Sequence, residues 1–224
     1  MREGCPAGAS LIRASFSMAF AASLGCFGEA PSTPTLPPPD RDLPPSGIQT
    51  AVFAGGCFWG VEAVFRHVRG VERAFSGYAG GEAATATYQQ VCTGRTGHAE
   101  AVEVTFDSSV VSFGTLLRIF FSVVHDPTQK DRQGPDIGPQ YRSAVFVSSE
   151  QQEEVVRGYI QKLNATGLFP SPVATVVEPL RAFYPAEPYH QNFLDRNPAH
   201  PYIVIHDLPK IAALKKHYPD MVQV

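Results

Sequence analysis

An α+β fold of two layers, a sheet with helices packed on one face, is what the sequence predicts, and three observations predict it. Short runs of period-two alternation, such as Glu100 to Phe106, are interleaved with runs of helical period, such as Phe113 to Val124. Glycine- and proline-bearing turns separate them. From about Ile48 to Val224 the chain is long enough for a single core, and its strands and helices alternate throughout.

Taken in order, Thr50 to Ala54 reads as the first strand, and Gly55-Gly56 turns the chain. Phe58, Val61, Val64, Phe65 and Val68 then share a helical stripe, which closes before Gly70, a residue suited to a left-handed cap. Val71 to Ser76 is a strand, followed by a glycine-rich loop from Gly77 to Gly81 and a longer one through Tyr88 and Cys92 to His98. In Glu100 to Phe106 alternation puts Glu100, Val102, Val104 and Phe106 on one face and Glu103 and Thr105 on the other. Ser112 caps a helix bearing Phe113, Leu116, Leu117, Phe120, Phe121 and Val124. A polar loop from His125 to Arg142 carries Asp136 and Tyr141, in excess of what packing needs. Ala144 to Val147 is a strand, Ser149 caps a helix that ends near Gly167, and Val173 to Val177 is a further strand. Phe183 to Leu194 reads as a turn into a short helix, and Tyr202 to Ile205 with a helix near Pro209 to His217 completes the chain.

The chemistry centres on Gly55-Gly56-Cys57-Phe58-Trp59-Gly60. A cysteine at a strand-to-helix turn faces free amide hydrogens and the positive end of the helix dipole, which favour a thiolate; Cys57 is therefore a candidate nucleophile. The competing reading is a small buried hydrophobe beside Phe58 and Trp59. Glu100, on an apolar face, has the raised pKa of a general acid if it is buried; at the first residue of its strand it could instead reach solvent or cap an amide. Asp136 and Tyr141 are second-rank candidates, and His98 fits a structural hydrogen-bonding role.

The ends differ in kind. Arg2 and Arg13 precede an apolar run from Ala14 to Gly25, so residues 1–26 read as a signal peptide or lipoprotein leader. Ala22-Ser23-Leu24-Gly25-Cys26 resembles a lipoprotein cleavage box in which Cys26 would be lipidated, although Ser23 stands where a large aliphatic residue is expected. The expected location is exported, periplasmic or membrane-anchored, with the cytoplasm as the alternative. Residues 27–47, rich in proline, read as a spacer, and residues 48–224 as the catalytic domain. A formal charge of −3 gives no electrostatic footprint for nucleic acid. The cysteines Cys5, Cys26, Cys57 and Cys92 show neither a disulfide framework nor the spacing of a zinc site, so no metal is expected.

Several separated blocks resemble the A-type peptide methionine sulfoxide reductases: Gly55 to Gly60, Gly77-Tyr78-Ala79-Gly80-Gly81, Tyr88-Gln89-Gln90-Val91-Cys92-Thr93-Gly94, Thr96-Gly97-His98-Ala99-Glu100, His125-Asp126-Pro127 and Gln140-Tyr141-Arg142-Ser143. The resemblance implies a ferredoxin-like mixed sheet and reduction of the S-epimer of methionine sulfoxide, free or in proteins, as repair after oxidation. It makes Cys57 the nucleophile, gives Phe58 and Trp59 the substrate's methyl group, assigns the sulfoxide oxygen to Glu100, Tyr88 and Tyr141, and uses Asp136 to order the pocket. It implies no bound cofactor and an external thiol reductant, thioredoxin, glutaredoxin or similar.

The departure lies in the tail, Asn197 to Val224, which has no cysteine and resembles members lacking C-terminal resolving cysteines. Recycling of a Cys57 sulfenic acid then falls to an outside thiol or to Cys92, whose plain reading is a buried inert thiol. A monomer is the expected state. A thiol peroxidase and a non-catalytic module binding methylated groups are the competing functions.

Overall fold

The computed structural model describes residues 36–223. The leader and Cys26 lie outside the described residues. Strand β1 (Ile48–Gly55) leads into α1 (Phe58–Arg66), and β2 (Val71–Ala79), the short α2 (Tyr88–Val91) and β3 (Ala99–Asp107) follow. Next come α3 (Phe113–Ile119), β4 (Arg132–Gln133), β5 (Asp136–Ile137) and β6 (Ser143–Val147). The chain finishes with α4 (Glu150–Thr166), β7 (Val176–Pro179), β8 (Phe183–Pro185), α5 (Phe193–Arg196) and α6 (Leu208–His217).

The main sheet has the order β7-β6-β1-β3-β2-β8, antiparallel throughout except for the parallel pair β6 and β7. Its centre, β6-β1-β3-β2 with crossovers through α1 and α3, is the split βαβ arrangement of ferredoxin-like folds. The helices cover one face. There Phe53 of β1 stacks on Phe65 of α1 at 4.8 Å and meets Phe120, just past α3, at 5.2 Å. The opposite face carries small residues, Ala54, Ala79, Ala99, Ala101 and Ala144, under Phe146 and Phe183. The two faces of β3 therefore differ as its alternation predicts: Val102, Val104 and Phe106 join the large core, and Ala99 and Ala101 the small one.

Several elements differ from expectation. Gly77 to Ala79, read as loop, continues β2, because the edge strand β8 pairs with it. A side chain at Gly77 would come within 2.3 Å of the Phe183 ring and 2.5 Å of the Tyr184 carbonyl, so the glycine reports close approach of a strand instead of a turn. The polar loop after α3 is partly ordered as the β4-β5 hairpin, which carries Asp136. Strand β7 begins three residues later than the apolar run suggests.

The second half of the proline-rich tract is docked on the domain. Leu36 is buried in the main core, with Arg118 Nε donating to its carbonyl at 2.6 Å and the Tyr159 hydroxyl donating to the Pro37 carbonyl at 2.7 Å. The Gly114 amide donates to Asp42, and Lys162 pairs with Asp40. Leu36→Ala should lower stability in urea unfolding by about 2 kcal/mol, the low end for a buried leucine because a segment outside the sheet and helices can lift away locally. A free spacer at this position would give no change.

Candidate active site

Three glycines set the position of Cys57. Gly56 has φ +91°, and a side chain there would lie 2.6 Å from Cβ of Gln133, so the turn into α1 is also the seat of the β4-β5 hairpin. Gly55 lies equally close to Val124 and Phe120. Gly60, on the first turn of α1, leaves room for the tail: a side chain would lie 2.1 Å from Asp207 Oδ1 and 2.6 Å from Lys210 Nζ. Cys57 itself is the N-cap residue of α1, 9% exposed, and the free cysteine among the described residues.

Glu100 is 2% exposed, and its Oε2 accepts the Phe58 backbone N–H at 3.0 Å. This carboxyl therefore does cap an amide, and it does so buried, facing the helix start from β3. Burial, the largest influence, and the nearby Asp136 push its pKa up to about 8 against the Phe58 hydrogen bond. Glu100 is thus largely protonated at neutral pH.

The expected depression of the Cys57 pKa is not what the surroundings produce. Burial first, then the charges of Glu100, Asp207 and Asp136, hold the thiol well above its ordinary value. The Trp59 amide works the other way without closing a capping hydrogen bond. One helix terminus is outweighed by desolvation and three carboxyl groups, so the resting sulfur is a thiol.

Tyr141 is buried and close enough to Glu100, Cys57, Asp136 and Tyr88 for each to raise its pKa further, after burial has done most. The 3-10 turn that carries it is held by Arg142, which donates to Glu178 at 2.9 Å and to the Gly97 carbonyl at 3.1 Å. Tyr88 is half-buried; its amide donates to Glu187 at 2.9 Å, and the other oxygen of Glu187 accepts from the Tyr78 hydroxyl at 2.8 Å. Asp136 is half-buried and accepts from the Tyr202 hydroxyl. Cys57, Glu100, Tyr88, Tyr141 and Asp136 are therefore gathered around one point from five parts of the chain.

Phe58 and Trp59 lie beside it. Phe58 is 1% exposed, against Tyr78 and His190. Trp59 stacks on Phe193 at 3.7 Å with nearly parallel rings, meets Tyr202 edge-on, and donates its indole N–H to His190 Nδ1 at 3.1 Å. His190 is buried and its pKa falls to about 4, mainly through desolvation, so it is neutral with its remaining proton on Nε2. His98 is structural: it accepts from the Gly81 amide and contacts the Glu82 carbonyl, fixing the glycine-rich loop. Cys92, expected to be buried and inert, is half-buried and engaged in an interaction of its own.

Sequence reasoning missed Glu62, His190, Tyr202, Asp207 and Lys210. Glu62, at 1% exposure on α1, accepts from Ser76 Oγ at 2.8 Å and from the Asn192 amide at 2.9 Å, joining the helix to β2 and to the tail. Asn192 holds φ +55°, the left-handed conformation that starts α5 toward Trp59. The hydrogen bonds of Glu62, His190 and Tyr202 span more than ten residues of sequence, so no local period announces them; the i,i+3 pair Asp207–Lys210 reaches the site only because the tail packs on Gly60. Among the described residues no cluster of His, Cys, Asp and Glu has the makings of a metal site.

Known proteins resemble this chain along most of its described length. The family model for peptide methionine sulfoxide reductase matches residues 49–221. The chain is 54% identical over 173 residues to peptide methionine sulfoxide reductase MsrA 2 of Mesorhizobium japonicum, covering 77% of this chain and 89% of that one. It is 48% identical over 211 residues to MsrA 2 of Synechocystis, covering 92% and 99%. Among solved structures, Mxr1 of Saccharomyces cerevisiae in reduced form is similar with a TM-score of 0.64 at 34% identity, covering 70% of this chain and 90% of that one. Methionine sulfoxide reductase A of Corynebacterium diphtheriae is similar with a TM-score of 0.59 at 38% identity, covering 69% and 77%. With its signature cysteine at the start of α1 and the family match running through almost all of the folded chain, this protein belongs to the A-type peptide methionine sulfoxide reductases, oxidoreductases that return oxidised methionine to methionine.

Proposed function

We propose that the chain reduces the S-epimer of methionine sulfoxide, free and in proteins, by attack of Cys57 with Glu100 as proton donor. The observation that carries this reading is a buried Glu100, protonated near neutrality, on the amide next to the one free thiol described. Sulfoxide oxygen is a poor leaving group until it is protonated. Glu100 gives its proton to that oxygen and regains one from the Cys57 thiol, so the site stays neutral while the sulfur becomes nucleophilic. The oxygen's bond to methionine sulfur breaks, and a sulfur–oxygen bond on Cys57 takes its place. Cys57 loses two electrons and becomes a sulfenic acid, and the sulfoxide gains them and leaves as methionine.

Tyr141 and Tyr88 hold the oxygen; their hydroxyls suit hydrogen bonding because burial keeps Tyr141 from ionising. Phe58 and Trp59 supply an apolar, aromatic seat for the methyl group. Asp136, fixed by Tyr202, orders the far wall. The sulfenic acid is cleared by an external thiol reductant such as thioredoxin or glutaredoxin, one thiol forming a mixed disulfide and a second releasing Cys57. The apolar run from Ala14 to Gly25 supports export, in which case the substrates are oxidised exported proteins; without export they are cytoplasmic ones.

Excess methionine sulfoxide without added thiol should yield one methionine per protein and a Cys57 heavier by one oxygen, read by mass. A disulfide at Cys57 instead would overturn the external-thiol half of the scheme. Glu100→Gln should fold and lower kcat/KM by about 10²- to 10⁴-fold, the ordinary worth of a general acid. Because the neutral form of Glu100 is the active one, kcat/KM should hold below its pKa of about 8 and then fall about tenfold per pH unit above it. In Glu100→Gln that alkaline limb should vanish. Cys92→Ser should retain multiple turnovers with a small thiol; a collapse to one turnover would make Cys92 the resolving residue.

A further inference from the structure

The return of the chain over α1 leaves one carboxyl oxygen without a donor. Asp207 is fully buried, its Oδ1 accepts from Lys210 Nζ at 3.0 Å, and its Oδ2 has no hydrogen-bond partner. The carboxyl lies against Gly60, one turn beyond Cys57, and close enough to Cys57 for its charge to oppose ionisation of the sulfur. Keeping such an oxygen unsatisfied in a buried site is costly, which points to a donor that comes and goes. Neighbouring donors are engaged: the Tyr202 hydroxyl serves Asp136, and Lys210 serves Oδ1. The thiol of Cys57 donates only weakly and makes no hydrogen bond to Asp207. The group that fits is the hydroxyl that Cys57 acquires during turnover, which extends the side chain by one oxygen.

We propose that Asp207 is a positioning residue for the second half of the cycle, its Oδ2 accepting a hydrogen bond from the O–H of the Cys57 sulfenic acid. This rests on the sulfenic acid reading above. Accepting that hydrogen bond at Oδ2 holds the proton on the sulfenic oxygen and so keeps the intermediate neutral. Neutrality matters for the next step. When a thiol attacks, a sulfur–sulfur bond forms as the sulfur–oxygen bond of Cys57 breaks; the thiol is oxidised, the sulfenic sulfur is reduced, and the thiol's proton joins the departing hydroxyl as water. A sulfenate would have to expel a far poorer leaving group, and it is the form that peroxide carries on to the sulfinic acid.

The test separates the two half-reactions of Asp207→Asn. With free methionine sulfoxide and no thiol, the variant should keep the burst of one methionine per protein at a rate no lower than wild type, because a charge opposing thiolate formation is gone. The preformed sulfenic acid should then react with dithiothreitol about tenfold more slowly, the loss of one charge-assisted hydrogen bond, and hydrogen peroxide should convert it to sulfinic acid faster, read by mass. Equal losses in both half-reactions, or no loss in either, would overturn the proposal. Should Asp207→Asn fail to fold, Lys210→Gln, which loosens the pinned oxygen, is read the same way: an unchanged burst with slower thiol reaction supports the proposal, and parallel losses or no change overturn it. A wild-type protein that gives no burst would instead overturn the sulfenic acid mechanism itself.

Discussion

Desolvation at the start of α1 is the constraint on which this molecule's chemistry rests. Cys57, Glu100, Asp136, Asp207, Tyr141 and Tyr202 crowd one small volume, and for each of them burial is the largest influence on its pKa, always toward the protonated form. A site of this kind stores protons. In the proposed mechanism Glu100 is protonated before substrate arrives, and Cys57 stays a thiol until its proton can be passed on. The helix dipole, which favours a thiolate in isolation, is too small to reverse that balance.

The fold serves this constraint by bringing distant segments over one helix terminus. β3 supplies Glu100 from the middle of the sheet, the β4-β5 hairpin supplies Asp136 and rests on Gly56, and the tail supplies Tyr202 and Asp207 across Gly60. Glu62 ties the same helix to β2 and to Asn192 through hydrogen bonds to both carboxylate oxygens. Glycine is needed at 56 and 60 for a shared reason: another part of the chain occupies the space where a side chain would be.

What could be read from the sequence was whatever depends on neighbours along the chain. Alternation in Glu100 to Phe106 gave the buried face of β3, and Ser112 and Ser149 marked helix starts where their hydroxyls accept from Thr115 and Gln152. The strand-to-helix turn at Cys57 was legible from the paired glycines. Its electrostatics were not, because two of the three opposing charges arrive from the hairpin and the tail. β8 was hidden for a similar reason: Phe183 to Pro185 has no alternation of its own and becomes a strand by pairing with β2. Nor could proline content show that Leu36 is a core residue, since its burial depends on Arg118 and Tyr159 far along the chain.

Trp59 is the chain's single tryptophan. Its indole lies flat on Phe193 and is hydrogen-bonded to His190, with Tyr202 and His200 at its edges, so residues of the tail region set its surroundings. The protein therefore carries its own optical reporter: emission from this one indole follows the seating of the segment that packs on it.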